Sequence, residues 1–412
     1  MFDWLKKKSA DVTEVTLDRL ADIGAFARYG VAAGVQVNPK TAVEVTAVMC
    51  AVKVISEGIA QMPLRIMRET RQDGRIMRQA DRAHWAHRLL AVRPNGFQTP
   101  FEFREYAITA ALLDGAFVGV KDVVRGEVRE VLPLPMGSWS IHRDEGQWSH
   151  YFRVGYANGT SGEFAPEQVV YLRGPSLDGW RSLPAIAAAR EAIGLSRVME
   201  KQQARLASNG GKPSGVLAFE ETLSPEVRES LRESWQDRFG PNGEGGIAIL
   251  DRMAKFQSMT MTSVDAQYIE TRQFQIEEIA RAFRVHPIML MQSNQTTTFA
   301  SAEQHFRHHV VHTLGPWIAR MEDVFDRDIL RNDPALSVDL DERALLRGDF
   351  KDQAEYYVKA LGAGGQPGWL TQNEIRAELG LNPVAAEWAD EVPRGAMGLA
   401  ETPVTPEDDG PA

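Results

Sequence analysis

The sequence predicts an α+β protein: a mixed helix-and-strand body, then two long helices, then a helical end. Three observations predict it. Helix-start signals recur along the chain, and strand-and-turn alternation is concentrated in residues 116–173. The eighteen residues 285–302 contain no Asp, Glu, Lys or Arg, in a chain of 412 residues of which 25% are charged. That length allows about two or three domain-sized cores.

Residues 1–38 carry Gly24, Gly30 and Gly34 with little periodicity and read as a loosely ordered arm. A helix is expected to open at Thr41, boxed by Glu44, with Val45, Val48, Met49, Val52 and Ile55 on one face. Its end falls near 58–63. A second helix has the clearest start, because Thr99 caps, Pro100 suits the first position, Glu102 completes the box and Gly115 stops it. Strands are expected at 118–120, 128–134, 138–143, 148–154 and 169–172, separated by Arg125-Gly126, Asp144-Glu145-Gly146 and Asn158-Gly159. They make an antiparallel region that Gly174-Pro175 breaks off.

An Ala-rich helix over 183–207 stops at Asn209-Gly210-Gly211. A small α/β insertion follows, with strands at 216–219 and 247–250 around a helix capped by Ser224-Pro225 and ended by Gly240-Pro241. The helix at 265–283 carries Ile269, Ile276, Ile279, Ala280 and Phe283 down one side and is roughly 28 Å long. After the neutral segment a helix opens at Ser301, boxed by Gln304, and reaches Leu330, about 45 Å on. Gly315-Pro316 in its middle removes a backbone donor and should bend it. A strand follows within 300–344. Small helices are expected at 349–361 and from Thr371, boxed by Glu374, to Gly380, and 401–412 reads as a disordered, Pro- and acid-rich tail.

Lys and Arg number 46 against 56 Asp and Glu, a net charge of −10. That balance opposes tight, sequence-independent wrapping of DNA. Cys50 has no second cysteine to pair with. The opening Met1-Phe2-Asp3-Trp4-Leu5-Lys6-Lys7-Lys8 lacks a signal-peptide core, and the longest apolar stretch, 45–55, is too short to span a bilayer. A soluble protein without a membrane partner is expected. Asn209 to Ser214 lacks the upstream Gly of a phosphate loop, and Gly174 to Asp178 lacks the second Gly of a nucleophile elbow. No cofactor and no catalytic residue is expected.

His305, His308, His309 and His312 lie at helical spacings on one segment. They read as a metal site, a pH-sensitive contact between subunits, or packed and solvated histidines. The metal reading makes 305–312 the centre of a metal-dependent hydrolase. Glu270, Glu277 and Glu278 either solvate one helix face or line a channel that repels phosphates. The neutral lip Gln292, Ser293, Asn294, Gln295, Thr296, Thr297 and Thr298 suits a surface past which something slides without sticking.

Taken in order, these features resemble the portal proteins of tailed bacteriophages and phage-derived gene transfer agents, in the lambda-like long-tailed subfamily. Ser263 to Glu270 and Glu278 to Pro287 are similar to the family's stem-helix signature. Phe299 to Gln304 with Thr313-Leu314-Gly315-Pro316-Trp317 is similar to its bent helix, and Thr371 to Arg376 with Leu381-Asn382-Pro383 to its C-terminal motif. The chain departs from the family at His286 and Met291, where a second small or proline residue and a Gly are frequent.

The resemblance implies a portal fold and a homo-oligomeric ring, usually of twelve subunits, at one capsid vertex. Residues 1–38 would be an arm, 39–182 and 300–344 the wing, 183–209 and 263–285 the stem, 210–262 the clip, 286–299 the tunnel loop and 345–400 the crown. It implies transient, non-specific contact with double-stranded DNA, docking of the terminase large subunit and then of the head–tail adaptor, and a seat in the major capsid protein. The implied location is a virion or phage-like particle assembled in a bacterial cytoplasm. A connector without DNA contact is a third reading, but such adaptors are usually much shorter and need no long bent helix.

Overall fold

The computed structural model describes residues 31–32, 34–72, 75–143, 149–208, 216–218, 224–227, 229–230, 255–257, 264–292, 299–331, 333–345, 350–362, 366–379 and 381–393. The chain divides into two compact units, Met1–Asp341 and Glu342–Ala412.

In the first unit, helix α1 (Thr46–Ala60) buries Val48, Val52, Ile55 and Ile59 completely or nearly so. Full burial of each such side chain is worth about 1.5–3 kcal/mol. The helix opens later than expected. The capping box is Asn38 with Thr41, and it starts a separate turn, Pro39–Ala42. Glu44 is drawn away to Arg197, at 2.6 Å.

The far end of α1 is closed from another helix. Arg104 of α2 (Pro100–Leu113) donates to the carbonyls of Ala60 at 2.6 Å, Met62 at 3.3 Å and Leu90 at 3.4 Å. It places a cation where the helix dipole is negative, and burial pushes its pKa down to about 10. At the start of α2 itself, Thr99 Oγ1 accepts from Glu102 N at 3.2 Å, while Glu102 accepts from Thr99 N at 2.7 Å. The expected box is present.

Strands β1 (Leu64–Gln72) and β2 (Arg75–Ala80) form a hairpin, and β11 (Leu336–Leu340) pairs with β1 antiparallel, Ile66 facing Val338. The hairpin was not expected. Its arginines hide the alternation, and they are held by Asp341 to Arg65 at 2.9 Å, Asp81 to Arg68 at 2.8 Å and Glu69 to Arg78 at 3.2 Å. The signal that could have revealed it is Asp73-Gly74 between the strands.

Strands β3 (Ala116–Val124), β4 (Glu127–Pro133), β5 (Trp139–Arg143), β6 (His150–Gly155), β7 (Ser161–Phe164) and β8 (Val169–Arg173) make two antiparallel sheets, ordered β4-β3-β8 and β5-β6-β7. The expected antiparallel region is there, with β7 in addition. Val118, Phe152 and Val169 form its core, closed by Trp139 and Tyr171. Gly119 permits the close packing, since a Cβ there would meet Val131 at 2.6 Å.

Helices α3 (Arg190–Ser208) and α4 (Val264–Phe283) pack on each other, and α4 also packs on α1. Between them the described strands are β9 (Val216–Ala218) and β10 (Lys255–Gln257), which pair antiparallel. The expected strand at 247–250 lies outside the described residues. After α4 come α5 (Phe299–His308), a π-helical segment (His309–Leu314) and α6 (Gly315–Asp328).

Acidic residues of α6 satisfy backbone N–H groups on the free edges of β8 and β11. Asp328 accepts from Tyr171 N at 3.0 Å, Asp326 from Val338 N at 2.7 Å and Glu322 from Leu340 N at 2.7 Å. In the second unit, α7 (Phe350–Ala360) precedes α8 (Gln372–Glu378), whose Thr371–Glu374 box is formed as expected.

Candidate functional site: the α4–α5 junction

Helix α4 leads into the neutral segment and is covered unevenly. Gln275, Ile279, Ala280 and Phe283 are buried, whereas Ile269 and Phe274 are 57% and 52% exposed. Ile269 was expected in the buried row. It shares the face, but the body that covers Ile279 does not extend that far. In this half, α3 holds α4 through Tyr268 Oη donating to the Met199 carbonyl at 3.3 Å and an Arg272–Glu200 pair at 3.0 Å. One seam of α4 is therefore covered and another left open.

Of the acidic candidates, Glu270 is exposed and makes no ion pair among the described residues. Glu277 and Glu278 both meet Arg281, the former at 3.6 Å. Their charge is largely answered within the helix.

The helix ends on Arg284, whose φ of 57° lets Val285 N reach back to the Ala280 carbonyl at 2.9 Å. Thr313 Oγ1, from the π-helical segment, donates to the Arg284 carbonyl at 2.6 Å and ties the two sides of the neutral segment together. His286 Nδ1 accepts from Ile288 N at 3.3 Å and starts a single turn, Pro287–Leu290. The chain then turns left-handed at Met291, φ 60°. This is the position where the resembling family often has Gly, the residue that adopts that backbone most readily. The Gln292 amide is buried without a hydrogen-bond partner among the described residues. Ser293, Asn294, Gln295, Thr296, Thr297 and Thr298 lie outside the described residues.

The expected single helix from Ser301 to Leu330 is instead α5, a π-helical segment and α6. The irregularity sits just before Pro316, with Gly315 N bonded to the Val310 carbonyl. A π turn holds more than four residues, so ordinary helical spacing no longer places the histidines. His309 is 4% exposed, and its pKa is pushed down by burial first and by His308 second, against a hydrogen bond with the backbone of Val54. The exposed rings of His308 and His312 meet at a tilt, 4.4 Å between centroids, while His305 lies tilted against His286 at 4.2 Å. Among the described residues no three His, Cys, Asp or Glu side chains gather as a metal donor set, so the hydrolase reading gains no support.

A cavity of about 730 Å³ opens between β8, β6 and the end of α6. Its polar groups largely satisfy one another. Lys121 Nζ donates to the Asp328 carbonyl at 2.6 Å, Arg327 grips the Asp328 carboxylate at 2.7 and 2.8 Å, and Tyr171 Oη donates to the Trp180 carbonyl at 2.9 Å. Burial pushes the Tyr171 phenol up to about 12, the wrong direction for a nucleophile or base at neutral pH.

A family model described as phage portal protein matches residues 46–380, and the chain belongs to that family. The portal protein of Enterobacteria phage HK97 is 26% identical over 400 residues, covering 94% of this chain and 92% of that protein. A relative from Streptomyces phage phiC31, described as a probable portal protein, is 27% identical over 94% of this chain and 84% of its own length. Among solved structures, the neck of an empty gene transfer agent particle, computed with C6 symmetry, contains a chain of the same fold. It superposes with a TM-score of 0.57 at 21% identity, covering 89% of this chain and 93% of that one. An HK97 family phage portal protein from Corynebacterium diphtheriae gives 0.54 at 20% identity, over 75% of this chain and 96% of that one.

Proposed function

We propose that copies of this chain close into a ring around a channel through which double-stranded DNA is packaged into a capsid and later ejected. The observation that carries the proposal is the divided covering of α4. A helix with Ile279, Ala280 and Phe283 buried and Ile269 and Phe274 open is completed by a neighbour, and a heterologous contact repeated by rotation closes into a ring. Related necks solved with C6 and C12 symmetry accord with this and with twelve copies in a particle.

In that ring 39–182 and 300–344 serve as wing, 183–209 and 263–285 as stem, 210–262 as clip and 345–400 as crown. The lip from Gln292 to Thr298 meets the duplex. DNA carries a charge about every 1.7 Å of axis, so a lysine-rich lip would hold it, while amides and hydroxyls make bonds that exchange readily. Glu270, without an ion pair among the described residues, repels the strands from the stem wall more than Glu277 and Glu278 beside Arg281. The ring does no chemistry of its own. The terminase large subunit supplies the energy from the clip, the head–tail adaptor replaces it, and the major capsid protein holds the wing. Among the described residues no helix is long and apolar enough to cross a membrane.

Replacing Gln295 and Thr297 by Lys tests the lip. Rings should form as in wild type, seen by electron microscopy, while DNA packaged per particle per unit time falls. Packaging at the wild-type rate would remove the lip from the mechanism.

A further inference from the structure

Three arginines without carboxylate partners among the described residues, Arg173, Arg284 and Arg320, come together near Trp317. Arg320, one turn further along α6, holds its guanidinium 5.0 Å from the indole centroid. Arg284 is brought to the same helix by the Thr313 hydroxyl, one turn before Trp317. Arg173 arrives at the end of β8, where a Cβ on the next residue, Gly174, would touch Trp317 at 3.5 Å. Among the described residues none of the three makes an ion pair, although Arg173 donates to the Gly179 carbonyl. The proximity has an electrostatic trace: the Arg320 pKa is held down by burial first, then by Arg173 and Arg284.

Beside this cluster stands a braced loop. Asp178 accepts from Trp180 N at 2.8 Å and from Arg181 N at 2.7 Å, and Ser176 Oγ donates to the Arg181 carbonyl at 2.5 Å. Ser176 and Ser182 form an antiparallel bridge. On this ordered loop Leu177 is 91% exposed. One exposed leucine is ordinary. An exposed leucine on a preorganised loop, flanked by arginines that make no ion pair among the described residues, has the composition of an interface and little ordering left to lose on binding.

We propose that Leu177 with Arg173, Arg284 and Arg320 is a docking surface for a second copy of this chain, the leucine entering an apolar pit and the arginines meeting carboxylates on its rim. The inference rests on the ring reading and specifies one of its contacts. Charge complementarity names the occupant. The chain carries a net charge of −10, and Glu57 and Asp323 are exposed acids without an ion pair among the described residues. A duplex is the weaker occupant, because three arginines on phosphates would retain DNA that must move.

The test uses the full chain with a photo-crosslinking benzophenone amino acid in place of Leu177, and separately Leu177→Asp and Arg284→Glu/Arg320→Glu. Mass photometry and circular dichroism follow assembly and fold. The crosslinker should join two copies of this chain within rings. The substituted chains should need about tenfold or more protein to form rings, the scale of one interface hot spot, with the protomer still folded. Because the crosslinking variant keeps all three arginines, its result stands even if charge reversal unfolds the protomer. Rings that form at the wild-type concentration, or crosslinks only to DNA or another protein, would overturn this contact and leave the ring reading intact. A wild-type chain that never forms rings would instead remove the ring reading.

Discussion

Met291 holds a left-handed backbone with its side chain 88% exposed. The conformation costs an L-residue about 1–2 kcal/mol, and an exposed methionine returns little packing to offset it. Met291→Gly should therefore stabilise the protomer, by a few tenths to about 1 kcal/mol after the added freedom of the unfolded chain is subtracted. Urea unfolding below the assembly concentration reads this directly. A lowered midpoint would mean that the side chain makes a stabilising contact. Nearby, the Gln292 amide lacks a partner among the described residues, so Met291 and the first residue of the lip both carry local cost. Arg104 is the opposite case: a buried cation whose burial penalty is offset by the Ala60 and Met62 carbonyls at the end of α1 and by the carbonyl of Leu90.

The π-helical segment brings His309 against α1, where the imidazole hydrogen-bonds with the backbone of Val54. Its folded pKa lies below the ordinary 6.5, chiefly through burial. As pH falls through that value the unfolded chain takes up the proton first, so stability present above 6.5 is lost on acidification toward the lower folded pKa. His286 and His150 are shifted the same way, so the test is a difference. Thermal unfolding of His309→Phe should lose less on acidification than wild type; equal losses would show that His309 is not part of the response.

Elements of this kind also show what a sequence exposes. The Thr99–Glu102 and Thr371–Glu374 boxes were legible because a capping box closes within four residues. The β1–β2 hairpin was not, because Arg65 and Arg68 look like solvent residues until Asp341 and Asp81 are placed beside them. The histidine spacing was legible, but its meaning changed when a π turn replaced α-helical geometry. At the site, the neutral lip was visible as composition, whereas the Thr313–Arg284 tie that anchors it joins residues 29 apart.

For the whole molecule, the open seam of α4 is the feature that a single copy does not satisfy. Ile269 and Phe274 are already about half covered, so each stands to gain about half of the 1.5–3 kcal/mol of full burial, and a ring repeats that gain at every contact. Replacing both by Asp removes the gain and forces two carboxylates to lose water. A penalty of about 1.5–3 kcal/mol per contact weakens association by about tenfold or more. The protomer itself should hardly notice, since substitutions at exposed positions usually stay within about 0.5 kcal/mol. Ile269→Asp/Phe274→Asp should therefore unfold at the wild-type monomer temperature and give monomers by mass photometry at concentrations where wild type gives rings. If the double variant assembled normally, the open face of α4 would not be a subunit contact. The stem would then have to close through α3, whose exposed Leu195 is the alternative apolar handle.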